Sequence, residues 1–286
     1  MKWISKGALF ALVLLTSYQG VAGPSSLGET TLQAIVTQED ALWAELDDSH
    51  RTLTEGDMRR KVLDIQRSYQ SFVDAHTTHF EGIMLYGKFL RKVDAPHIAH
   101  DYFQKAAALN PNVAVVHQQL ANYYAEKGRH QEAFSAITRA IELEPSIAIY
   151  YYQLGELLYV YQKEFIQDSK WNIEYWDSQM LGAFEKAYTL DPKNQTLELR
   201  YAQSFFDLEI PRWPEALAAW STIEKKTPVG AQQEYVFTQK ARVLIELNRY
   251  QEAKKYLDRV WRPELEHNRQ ILLKRISEAD PRAGTE

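Results

Sequence analysis

The sequence predicts an all-α protein, a solenoid of about five to six stacked helix hairpins closed by helical caps. Three observations carry that prediction. Residues 114–147 (AVVHQQLANYYAEKGRHQEAFSAITRAIELEPSI) hold two helical patterns back to back, joined by Lys127-Gly128-Arg129 and closed by Pro145. The pattern recurs at a step of 34 residues, from Pro111 to Pro145 and from Ala121 to Gly155. A period of this size marks a stack of similar units rather than one globular core. Finally, 45% of the 286 residues are hydrophobic and Gly and Pro together number 22, a composition that packs rather than one that stays disordered.

The elements follow in order. Lys2 and Lys6 precede a short apolar run, ALFALVLL, and small residues at Gly20 and Ala22 offer a cut after Ala22. This is the layout of a secretory signal peptide over residues 1–22, so the chain is expected to be exported, periplasmic or secreted, with a retained anchor as the other reading. No cysteine follows the apolar run, which excludes a lipoprotein anchor. After cleavage no segment is expected to enter a membrane. Residues 23–28 (GPSSLG) read as a spacer. Residues 30–46 carry Leu32, Ile35, Val36, Leu42, Trp43 and Leu46 at helical spacing. A second helix is expected over 57–74, with Met58, Val62, Ile65, Tyr69, Phe72 and Val73 on its apolar face. Thr54 and Asp57 form a loose capping box at its start. Residues 23–79 thus read as an N-terminal cap or a degenerate first repeat.

From Phe80 the units are regular. The first (80–113) places Ile83, Tyr86-Gly87, Leu90, Ala99, Phe103, Ala106 and Pro111. The second (114–147) places His117, Leu120-Ala121, Tyr124, Ala133, Ile137, Ala140 and Pro145. The third (148–194) begins with Tyr151, Leu154-Gly155 and Leu158, and resumes at Met180, Phe184, Ala187 and Pro192 after about 13 extra residues. The fourth (195–230) holds Tyr201-Ala202, Phe205, Ala216, Trp220, Ile223 and Pro228. The fifth (231–262) holds Phe237, Ala241, Leu244, Ala253, Leu257 and Val260, with its closing proline displaced to Pro263. Small residues let the helices of a unit approach, large ones fill between units, and proline stops one helix before the next. Residues 263–286 supply a capping helix and a tail.

In these positions the sequence resembles the tetratricopeptide repeat family, and an exported bacterial member of it. The resemblance implies a right-handed superhelical α-solenoid whose first helices line a concave groove that holds peptide segments of other proteins. Carried onto this chain, the groove positions are Met84, Lys88, Arg91 and Lys92; Gln118 and Asn122; Tyr152, Glu156 and Tyr159; Gln203 and Phe206; and Arg242, with Arg91, Lys92 and Arg242 expected to steer a ligand. A family subclass grips a terminal carboxylate with a Lys/Asn/Arg clamp. Met84, Ile149 and Gln153 stand where that clamp needs basic residues, so that function is not expected.

Residues 160–178 (VYQKEFIQDSKWNIEYWDS) are the most individual stretch. Tyr161, Phe165, Trp171, Tyr175 and Trp176 there could contact a partner or a glycan; the other reading packs them back onto the stack. Six of the eight histidines lie between His76 and His130, and the pairs His76/His79 and His97/His100 each have i, i+3 spacing, from which a metal site is the alternative function.

The remaining classes fall away. With no cysteine there is no disulfide framework, thiolate site or cysteine nucleophile. No phosphate-binding glycine loop and no G-x-S-x-G elbow occurs. The net charge of −5, which becomes −7 when the two lysines of the leader are lost, argues against nucleic acid. The expected function is a non-enzymatic, cofactor-free scaffold or adaptor for another protein or peptide, with self-association open.

Overall fold

The computed structural model describes residues 27–47, 54–168 and 172–279. The expected signal peptide and frayed tail lie outside these residues, as does Trp171. All regular structure among the described residues is helical, and the chain forms two compact units, one ending at Ser146 and the other beginning at Ile147.

The first unit is three hairpins. α1 (Leu27–Asp47) pairs with α2 (Glu55–Ala75), α3 (Phe80–Lys92) with α4 (Pro96–Leu109), and α5 (Ala114–Glu126) with α6 (His130–Leu143). Thr54 caps α2 by accepting the Asp57 N–H at 3.1 Å. The Thr54 hydroxyl in turn donates to the Asp57 carboxylate at 2.7 Å. Asp57 is thereby held below the ordinary carboxylate pKa, the Thr54 bond being the main cause. The turns inside the second and third hairpins are alike. Asp94 (φ 60°) and Gly128 (φ 72°) adopt the left-handed conformation. Ala95 N then donates to Leu90 O and Arg129 N to Tyr124 O, each at 2.9 Å, closing a Schellman turn.

Close approach within a hairpin rests on absent side chains. A Cβ on Gly87 would lie 2.9 Å from the nearest carbon of the Phe103 ring, so the aromatic of α4 sits in the notch that glycine leaves on α3. The same notch appears where hairpins meet, with Gly82 under Phe72 of α2. Around these contacts Tyr69, Tyr86, Phe89, Leu90, Phe103 and Ile137 are buried.

In the second unit α7 (Ala148–Val160) pairs with α9 (Ile173–Leu190), with the short α8 (Gln162–Asp168) between them in sequence. Asn172 caps α9 by accepting the Tyr175 N–H at 2.8 Å. α10 (Gln195–Ser204) is short and reaches α11 (Trp213–Lys226) through residues 205–212 rather than a three-residue turn. α12 (Ala231–Glu246) pairs with α13 (Tyr250–Leu257) through a Schellman turn at Asn248 (φ 58°), where Arg249 N donates to Leu244 O at 2.8 Å. α14 (Pro263–Ala279) closes the unit against α12 and α13 by burying Leu272 and Ile276. Pro263 is the first residue of α14, so it opens a helix and does not close the preceding repeat.

Three aromatics of the inserted stretch are interior. Tyr161 and Phe165 are each 8% exposed and Trp176 is fully buried, with the Phe165 and Trp176 rings 5.1 Å apart. These three aromatics complete a core and are not available as contacts, which corrects the expectation of a binding loop. Tyr175, 45% exposed, is the described aromatic of the stretch that faces out.

Candidate functional site

In each unit the first helices of successive hairpins are tied to one another by long polar side chains. Their exposed faces form the candidate site.

In the first unit the ties run from α1 to α3 and from α3 to α5. Glu39 of α1 is 6% exposed and accepts three bonds: Tyr69 Oη at 2.7 Å, Lys92 Nζ at 2.7 Å and Trp43 Nε1 at 2.9 Å. Burial, followed by the Glu39 charge, pushes the Tyr69 phenol far above its ordinary pKa, so it stays a donor. Lys92 also lies over the Trp43 ring. One repeat on, Arg91 forms a bidentate pair with Glu126 of α5 at 2.6 and 2.8 Å. Arg91 and Lys92 therefore hold the first helices together; they are not free cations that steer a ligand. Lys88 is in neither pair, and among the described residues it makes no ion pair or hydrogen bond. Burial and the neighbouring Lys92 lower its pKa.

Three expected groove residues of this unit are buried: Met84 at 3%, Gln118 at 0% and Asn122 at 3% exposed. Their positions on α3 and α5 turn toward the adjacent helices, so they shape the face from beneath without offering it a contact.

In the second unit the row runs α7, α10, α12. Arg200 of α10 binds Glu156 of α7 through Nε and donates from Nη1 to Asp207 at 2.8 Å. Its guanidinium lies 4.1 Å from the centre of the Phe184 ring and 5.1 Å from that of Tyr159. Burial opposes the charge of Arg200, but Glu156 and Asp207 together hold its pKa above the ordinary value. Asp207 itself is raised, since its desolvation outweighs the attraction of Arg200. Glu156 is 2% exposed and belongs to this network, not to the binding surface. From α10 to α12 the row continues with Gln203 Nε2 donating to Tyr235 Oη at 3.0 Å and Arg242 stacked 3.9 Å over Phe206. Tyr159, 45% exposed, half-buried Tyr152, Gln203 and Phe206, and exposed Arg242 are left facing outward. Of the expected groove residues, these are the ones brought together on an accessible face in this unit.

Glu39, Arg200 and Tyr235 were missed by reading the sequence. Arg200 could have been found: charged residues one repeat apart on first helices, such as Arg91 and Glu126, are positioned to pair.

The histidines do not converge. His76 ends α2 and His79 caps α3, accepting the Gly82 N–H at 3.2 Å, so they straddle a turn and do not share a helix face. His97 is bonded to Tyr123 Oη at 3.0 Å, and His100 stacks on the Tyr123 ring at 4.0 Å. Burial lowers the His100 pKa. His117 is half-buried, with Nε2 2.8 Å from Pro111 O, and so is only partly packed. Among the described residues no three His, Asp or Glu are placed to hold a metal ion, and no helix is long and apolar enough to cross a membrane.

Comparison with known proteins agrees with this architecture. Two segments, residues 102–134 and 235–260, match family models described as tetratricopeptide repeat. Those two segments are similar to tetratricopeptide repeats. Among solved structures it is similar to YrrB, titled a TPR protein with an unusual peptide-binding site, at 13% identity and a TM-score of 0.54, covering 76% of this chain and 94% of that one. PilF of Pseudomonas aeruginosa gives 14% identity and a TM-score of 0.53 over 80% of this chain and 90% of that one. A tetratricopeptide repeat protein from Parabacteroides merdae gives 12% and 0.52 over 86% and 87%. At these identities the likeness is one of fold: an all-helical repeat of the α-solenoid class. No curated protein sequence matches the chain.

Proposed function

We propose that this protein is a non-enzymatic scaffold that holds a peptide or protein segment against the first-helix face of its tetratricopeptide repeats. The observation that carries the reading is the row Tyr152, Tyr159, Gln203, Phe206 and Arg242. It presents aromatic rings, an amide and one unpaired cation on helices cross-tied by buried polar bonds. A face fixed in advance loses little freedom when it binds, and exposed Tyr and Arg are the residue types that anchor interfaces. Peptide binding by a protein of the same fold, YrrB, supports the class of ligand. The N-terminal leader pattern supports export, so the partner is sought in the cell envelope or outside it.

A photo-crosslinking amino acid placed at Tyr159 or at Phe206 tests the face, with Lys225 on the exposed side of α11 as control. The reading expects the same discrete partner from both face positions and none from Lys225. Equal capture from all three, or none from the face, rejects it. Cleavage of the leader is checked separately by the intact mass of protein made with its own leader: loss of residues 1–22 is expected, and retention of Met1 refutes it.

A further inference from the structure

The C-terminal end of this face holds a cavity of about 260 Å³ between α12 and α14, lined by Thr238, Gln239, Arg242, Asn268, Ile271, Leu272 and Arg275. We propose that it receives one acidic side chain, an Asp or Glu of a bound peptide, with the apolar residue that follows lying on Ile271. This rests on the scaffold reading above and names a specific contact within it.

The chemistry comes from the charges. Arg242 is exposed and, among the described residues, makes no hydrogen bond or ion pair; its one strong neighbour is the Phe206 ring beneath it. Stacking fixes the plane of the guanidinium and leaves its N–H edge free for a planar, two-oxygen acceptor. Across the cavity Arg275 spends Nη2 on Glu246 at 2.8 Å and keeps its other donors. Asn268 and Gln239 add amides. Thr238 adds little, because its hydroxyl already donates to Glu234 O at 2.9 Å. The nearby acids do not fill the role: Glu246 is held by Arg275 and Asp207 by Arg200. Partial desolvation pulls the Arg242 pKa down, a cost that an arriving carboxylate offsets. Size and lining select a side chain over a small molecule. The volume is below the roughly 300–1,000 Å³ of typical small-molecule sites. Ile271, 46% exposed, and Leu272 beneath it give the rim an apolar step beside the cations.

The test titrates the full-length, ¹⁵N-labelled protein with three blocked dipeptides, acetyl-Glu-Leu-amide, acetyl-Gln-Leu-amide and acetyl-phosphoSer-Leu-amide. Saturable shifts at the amides of Arg242, Asn268, Ile271 and Arg275 are expected with the Glu peptide, at a Kd at least tenfold below that of the Gln peptide. Arg242→Gln removes the preference and Arg275→Gln reduces it, each with an unchanged melting curve. Equal binding of Glu and Gln peptides, shifts confined to other helices, or tighter binding of the phosphopeptide than the Glu peptide overturns the assignment. The dipeptides are too short to span from Arg242 to Tyr159. Failure here with crosslinking intact at Tyr159 and Phe206 therefore removes the pocket and keeps the scaffold, and the reverse removes the scaffold.

Discussion

Gly155→Ala is the sharpest test of how the hairpins pack. Glycine inside a helix is ordinarily a liability, and replacing it by alanine gains about 0.5–1 kcal/mol through the unfolded chain and helix propensity. At position 155 the added Cβ would lie 2.7–2.8 Å from three carbons of the Phe184 ring, well inside ordinary contact. Phe184 is 1% exposed and carries the Arg200 guanidinium on its outer side, so the ring has nowhere to retreat without disturbing that stack. Overpacking of this kind costs about 1–3 kcal/mol, which exceeds the propensity gain. The net is a loss of up to about 2.5 kcal/mol, or up to about 10 °C in Tm for a unit of this size. The control lies on the partner helix: Gly182 of α9 has open space around its would-be Cβ, so Gly182→Ala is expected to stabilise. Thermal and urea unfolding of both variants, with Gly155→Ala repeated in a Phe184→Leu background that makes room, gives the comparison. If Gly155→Ala stabilises as much as Gly182→Ala, the notch does not hold the helices together and the argument fails.

Other outcomes follow from the same structure. Arg200→Met leaves Glu156 buried without its counter-charge and is expected to cost about 3–5 kcal/mol, while Arg200→Met with Glu156→Gln recovers much of it; equal losses in a urea titration of the two would refute the pairing. Asp177, 4% exposed, has its pKa raised above the ordinary 3.8 by burial. The folded state thus binds that proton more tightly, and stability falls as pH climbs from about 4 through the raised value. Asp177→Asn is therefore expected to gain Tm over the parent progressively between pH 4 and 7, and a constant or shrinking difference would contradict this. Gly128→Ala is expected to lose about 1 kcal/mol despite open space, because alanine resists the φ of 72°, whereas Gly128→Asn loses less, as Asn248 at φ 58° in the same kind of turn suggests. Calorimetry that finds Ala and Asn equivalent would remove the backbone argument.

The hairpins were legible because their signals are local and periodic. Gly87 and Gly155 fall where a second-helix aromatic must approach, and Gly128 falls where the chain must reverse. The face was only partly legible. Met84, Gln118 and Asn122 occupy first-helix positions that the family resemblance implies are groove, yet neighbouring helices cover them. A side chain's exposure depends on where the next repeat is set, and the period alone does not carry that distance. The inserted aromatics misled for a related reason. Tyr161, Phe165 and Trp176 look surplus to the repeat, but α8 adds its own layer and consumes them. The basic cluster on α3 looked like a steering patch because Glu39 and Glu126 are distant in sequence and adjacent in space.

These pairings change how a visitor meets the first unit. Two of its most prominent positive charges are already cancelled at contact distance, far inside the roughly 8 Å over which physiological salt damps a field. From a few water layers away Arg91 and Lys92 add little field, and of the three cations of α3 Lys88 alone is left without an ion pair among the described residues. Long-range attraction to α3 therefore comes from one lysine instead of three cations, and the salt dependence of an association rate there should be correspondingly shallow.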